Sequence, residues 1–240
     1  MAVNDHLILL CGKSTTGKST ALKDLVKPEG VLYLNTENGK RLPFKTAFIQ
    51  KTITDPLQVY EAFDWAETKP EIHTIIIDSL TFLCDMYDTM YIHGSANGQA
   101  AWGNFNQYIK ALMQQYVASS TKKIIFTAHT EDVLNKTEMA METRVPVKGS
   151  LKGNGLEAFF SVIVSSKKVP ITALEQYKSN MLTITPKEKD LGFKYVFQTC
   201  ITKDTVNERI RGPIGMFSTE ETYTDNNIQL ILDRLSEYYK

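Results

Sequence analysis

The sequence lacks the features of a secreted, membrane-spanning or polycationic protein. It has three cysteines, Cys11, Cys84 and Cys200, with no CxxC or metal-ligand spacing, which argues against a disulfide framework and for a reducing, cytoplasmic setting. No apolar run approaches the ~20 residues that a membrane-crossing helix needs, so no membrane partner is expected. No basic stretch precedes the short apolar run at 7–11, which does not read as a secretory leader. Net charge is absent too: Lys+Arg and Asp+Glu are 27 each, so any contact with nucleic acid must come from local basic loops. There is no internal repeat and no low-complexity linker. What is there is 240 residues, 42% hydrophobic and 10% aromatic, enough for a sizeable core in a single α/β domain with an elaboration.

Short apolar runs alternate with helical stretches. Residues 6–11 read as a buried strand, followed by a Gly/Ser/Thr loop and a helix over 18–26 that Pro28 and Gly30 end. Strands are expected at 31–35, 47–50, 74–78, 123–128 and 159–165. Helices are expected from Asp55-Pro56 to about 68 and over 99–119. This alternation implies βαβ units and a mostly parallel sheet. Residues 130–155 are polar and weakly periodic, a long loop or a hairpin with balanced charges. The tail reads as antiparallel strands at 181–185 and 194–201, then an amphipathic helix over 228–239.

Gly12-Lys13-Ser14-Thr15-Thr16-Gly17-Lys18-Ser19 matches GxxxxGK[ST], with Thr20 following. The string GKST occurs at Gly12 and again at Gly17. Only the second has a glycine at the required distance upstream, since the first would need one at Leu7. The context of buried strand, loop and helix suits a phosphate cradle of backbone N–H groups. Lys18 would reach the β- and γ-phosphates of ATP, and the Ser19 hydroxyl would ligate Mg²⁺. Asp78 ends the β-branched run at 74–78, where a carboxylate can hold Mg²⁺ through water; the plainer alternative for Asp78-Ser79 is a helix cap. Glu37 follows the second strand, where a carboxylate could align and deprotonate an attacking water; residue pattern alone equally allows an exposed turn glutamate.

Together these pieces resemble the RecA-like branch of phosphate-loop ATPases. They are similar in particular to short bacteriophage proteins of the single-strand annealing and recombination type. The resemblance rests on Val31 to Asn38 with Glu37, on Phe126-Thr127-Ala128-His129-Thr130, on Lys148 to Gly155 before Phe159, on Trp102-Gly103, and on Arg209 to Phe217. It implies one RecA-like domain over 1–240, with an antiparallel elaboration from about 180, in the host cytoplasm if phage-encoded. Glu37 then becomes the catalytic carboxylate and His129 a γ-phosphate sensor, where RecA has glutamine. Arg209 and Arg211, flanking Ile210, become cations that reach a neighbour's γ-phosphate. The implied partners are single-stranded DNA, further copies of the chain in a ring or helical filament, and a single-strand-binding protein. Lys136, Arg144, Lys148 and Lys152 would meet the DNA. RecA's N-terminal arm and large C-terminal domain have no counterpart here. A nucleotide or small-molecule kinase, and a helicase- or packaging-type motor, share the phosphate loop and stay open as alternatives.

Overall fold

The computed structural model describes residues 4–136, 139–149 and 155–240. Strands β1 (Leu7–Gly12), β2 (Val31–Asn35), β3 (Ile49–Thr52), β4 (Thr74–Asp78) and β5 (Lys123–His129) are all parallel to their neighbours. Two more, β6 (Glu131–Asn135) and β7 (Ala140–Arg144), pair with each other as an antiparallel hairpin. They are followed by β8 (Val162–Pro170), β9 (Phe193–Gln198) and β10 (Tyr223–Asp225). Among the described residues the main sheet has eight strands, in the order β10-β9-β8-β1-β5-β4-β2-β3. β8 runs parallel to β1, whereas β9 and β10 add on antiparallel. The mostly parallel sheet with an antiparallel tail is thus the observed architecture.

Alternate residues of the central strands feed two cores. Leu9, Leu34, Ile75, Ile77 and Phe126 pack under helices α1 (Gln58–Glu67), α2 (Leu80–Tyr87) and α3 (Gly98–Ala111). Ile8, Leu10, Ile76, Ile125 and Val164 pack on the other face, against Leu22, Leu25 and the apolar side of a C-terminal helix. Burial on both faces is why these strands are nearly continuous apolar runs rather than alternating ones. After β8 come the short helices α4 (Ile171–Leu174) and α5 (Pro186–Leu191), and α6 (Ile228–Tyr238) closes the chain.

Two expectations need correction, and one helix has no counterpart among them. The segment after the phosphate loop forms only a 3₁₀ turn, Thr20–Leu22, not a helix over 18–26. Its bonds close as i→i+3 (Leu22 N to Ser19 O, Lys23 N to Thr20 O, Leu25 N to Leu22 O), and Lys27, at φ 49°, turns the chain out before Pro28. Residues 181–185 are not a strand: Asp225 binds Met181 O and Thr183 N singly, and Thr185 caps α5 with Pro186 in its first turn. Residues 80–87, given no element above, form α2; its sequence LTFLCDMY has too few polar residues to show a helical stripe.

Candidate nucleotide site

β5 lies between β1 and β4, so three strand ends converge: the phosphate loop after β1, Asp78 at the end of β4 and His129 at the end of β5. Glu37, two residues past β2, joins them. The loop itself admits only glycine at its start, since a Cβ on Gly12 would lie 2.6 Å from Thr16 Oγ1 and 2.7 Å from Ser166 O. The β8–β10 side clamps it from outside: Ser166 Oγ donates to Thr16 O (2.7 Å) and Asn226 Nδ2 to Gly17 O (2.9 Å).

Ser14, Thr15, Gly17, Lys18, Ser19 and Thr20 line a cleft of about 210 Å³ that also contains Glu37, Asp78 and His129. Buried Lys18 donates from Nζ to Gly12 O and Lys13 O, both at 2.9 Å, and lies 3.4 Å from His129 Nδ1. Burial pulls its pKa down to about 8, although Asp78 and Glu37 push the other way. His129 Nε2 is 3.2 Å from Glu37 Oε1, and Lys40 Nζ is 2.9 Å from Glu37 Oε2. The His129 bond leads the effects that carry the Glu37 carboxyl down to about 2, against the opposing pull of burial. An unbroken polar chain therefore runs Lys18–His129–Glu37–Lys40. A neutral His129 serves it as the Nε2–H tautomer, accepting at Nδ1 and donating to Glu37. Its ring is held edge-on against Phe82, and its backbone N–H donates to Thr81 Oγ1 (2.9 Å).

Asp78 is buried and accepts three hydroxyls: Ser19 Oγ (3.1 Å) and Tyr33 OH (2.7 Å) at Oδ2, and Thr127 Oγ1 at Oδ1. Burial and Asp78 together drive the Tyr33 phenol far above its usual range, so it stays a donor. Thr36 ties the Glu37 strand to the Asp78 strand: its hydroxyl donates to Ser79 O (2.8 Å) and accepts from Ser79 N (2.7 Å). Ser79 also caps α2 through Phe82 N, so metal-side and capping roles sit on adjacent residues. The hydroxyl and carboxylate of Ser19 and Asp78 are hard oxygen donors that suit Mg²⁺. No cluster of three His, Cys, Asp or Glu able to hold a metal exists among the described residues. A metal here would therefore take its remaining ligands from phosphates and water.

A family model described as AAA domain matches residues 5–192 of the chain. The chain belongs to the AAA-domain family. That makes this AAA-domain protein a phosphate-loop nucleoside triphosphatase by family, and a nucleotide-binding one. A comparison with curated proteins found no match.

The remaining expected site residues of the AAA-domain protein fall elsewhere. Lys13 turns out of the cleft onto Asp132 of the hairpin (2.5 Å). Arg209 and Arg211 share a face, as their spacing predicts, but that face meets Glu157 of the same chain. Arg209 NH1 pairs with Glu157 Oε2 (3.2 Å), Arg211 NH2 donates to Glu157 O, and Val145 N donates to Glu157 Oε1 (2.7 Å). Arg144 and Lys148 border a second cavity of about 550 Å³ with Trp102 and Phe105, each cation beside an acid: Arg144 near Glu131 (3.5 Å), Lys148 on Asp88 (2.6 Å). Lys136 sits at the hairpin turn, and Lys152 lies outside the described residues. Sequence reading missed Tyr33, Lys40 and Arg41 in the cleft. Tyr33 carries a signal: a tyrosine in a buried strand needs a partner for its hydroxyl. No helix among the described residues is long and apolar enough to cross a membrane.

Proposed function

We propose that the protein hydrolyses ATP with Mg²⁺ and uses the cycle to act on single-stranded DNA, as an annealing or recombination ATPase that works with other copies of itself. The observation that carries the hydrolysis is the Lys18–His129–Glu37 chain beside the Ser19–Asp78 pair. Lys18 binds the β- and γ-phosphates, and Ser19 and Asp78 would hold an Mg²⁺ ion, which would supply positive charge to offset that of the phosphates. A water oxygen bonds to the γ-phosphorus while the bond from that phosphorus to the bridging oxygen breaks, and its electron pair leaves with ADP. Glu37 orients this water and accepts one of its protons, which then passes to the released phosphate. In the free protein Glu37 is too weakly basic to hold a proton near neutrality. The arriving γ-phosphate puts negative charge beside it and so raises its proton affinity.

The DNA half of the reading is supported by the resemblance and by the second cavity, where Arg144 and Lys148 lie with the half-buried Trp102. The test is phosphate release with and without Mg²⁺, single-stranded DNA or a small acceptor. Mg²⁺-dependent release accelerated by DNA supports the reading. Release that ignores DNA removes its DNA half. ADP formed only with an acceptor would make the protein a kinase.

A further inference from the structure

We propose that Lys40 is the cation that binds the γ-phosphate from within the same chain, and that it thereby selects ATP over ADP. The inference rests on reading the cleft as an ATP site. Glu37-Asn38-Gly39-Lys40 is a tight reversal: Lys40 N donates to Glu37 O (3.0 Å), and Asn38 and Gly39 have φ of 52° and 74°. Positive φ at both central positions is the type I′ arrangement, for which Asn-Gly is the favoured pair. One buried side chain pins both ends of the turn. Asn35 Oδ1 accepts from Glu37 N (2.9 Å) and its Nδ2 donates to Lys40 O (2.7 Å). The turn thus presents the Lys40 ammonium at the carboxylate assigned to the attacking water, in the cleft that contains Lys18, Ser19 and Asp78.

The Lys40–Glu37 pair is lopsided. The Glu37 side chain is 8% exposed and also bonded to His129, whereas the Lys40 side chain is 67% exposed. The carboxylate is fixed, while the ammonium rides on a solvated four-carbon stem and can transfer to a phosphate oxygen with little packing lost. Lys18 and the loop already serve the β-phosphate that ADP shares. The charge that distinguishes ATP lies on the γ-phosphate, at the Glu37 end of the cleft. Arg209 and Arg211 are committed elsewhere: Arg209 compensates the Glu157 carboxylate, whose side chain is 3% exposed, and Arg211 donates to the Glu157 carbonyl, so taking Arg209 away would strand a buried charge. When Lys40 moves, Glu37 by contrast keeps its bond to His129.

The experiment compares wild type, Lys40→Met and Lys40→Arg by calorimetric titration with ATP and ADP, with far-UV circular dichroism to confirm folding. Lys40→Met should lose about tenfold in ATP affinity, the scale of one charge pair at a partly solvated site, with ADP affinity within about twofold. Lys40→Arg should restore most of the ATP preference. Equal change for both nucleotides, or a fall in turnover with both affinities intact, overturns the inference and leaves the ATPase reading standing; the second result would make Lys40 only a support for Glu37. If wild type binds neither nucleotide, both readings fall together.

Discussion

Lys18 should make nucleotide affinity fall as pH rises above neutrality. Its ammonium is buried among backbone carbonyls, and burial sets its pKa at about 8 in the free protein. Phosphates bind the charged form and hold it charged. The lowered value means that raising the pH neutralises Lys18 in the free protein first, so binding must take a proton back up. The apparent Kd then grows as 1 + 10^(pH − pKa), a factor of about 1.1 at pH 7, about 2 at pH 8 and about 11 at pH 9. Lys40 does not compete over this range, because Glu37 raises its pKa, and Tyr33 stays neutral for the reason given above. Calorimetry in two buffers of different ionisation enthalpy would read both quantities. Proton uptake per bound nucleotide should be about 0.1 at pH 7, about 0.5 at pH 8 and about 0.9 at pH 9. Lys18→Arg keeps its charge throughout, so its affinity, whatever the absolute value, should lose this pH dependence; that control separates Lys18 from His129. A flat affinity between pH 7 and 9 in wild type, or proton release on binding, would refute the reasoning.

Glu37→Gln should bind ATP with little change yet turn over roughly 10²–10⁴-fold more slowly, because the amide cannot accept the water proton; wild-type turnover would return Glu37 to an ordinary turn residue. Asp78→Asn should weaken Mg²⁺-dependent turnover more than Mg²⁺-free nucleotide binding. Equal loss of both, with a lowered melting temperature, would assign Asp78 to holding Tyr33, Thr127 and Ser19 together. Arg209→Ala should lower the free energy of unfolding by about 3 kcal/mol in urea titrations, because it leaves Glu157 buried with a weakened counter-charge. Unchanged stability with abolished turnover would instead favour a role at a neighbour's phosphate.

The fold was legible where local pattern and tertiary role agree. The strands at 31–35 and 74–78 were read to the residue, since runs such as Thr74 to Asp78 are β-branched and buried on both faces. The phosphate loop was legible because its chemistry is contiguous: two glycines, a lysine and a serine at fixed spacing. Elements failed where that agreement breaks down. Ala21, Leu22 and Leu25 have helical spacing and are buried as a helix face would be, yet after one i→i+4 bond from Ala21 N to Gly17 O the turns close as i→i+3. The β6–β7 hairpin reads as either a loop or a hairpin because exposed residues occupy both of its faces, so no period of two decides between them.

The site divides along the same line. Residues that act through their own position, Lys18, Ser19, Asp78 and Glu37, could be named from motif and resemblance. The long-range contacts that hold them could not, even for His129, which the resemblance does name. Tyr33 and Thr127 hold Asp78 across 45 and 49 residues of sequence, and His129 meets Glu37 across 92. Nothing in the spacing of such pairs marks them; they meet because β5 inserts between β1 and β4 and brings its end to the loop. Arg209 and Arg211 show the converse. Alternation places both guanidinium groups on one face, but what that face meets depends on where Glu157 is buried, 52 residues from Arg209. Lys40 falls between the two classes. Its Asn-Gly turn is a local signal that alone predicts a contact between Glu37 and Lys40, and only the assembled sheet shows that this contact borders the phosphate cleft.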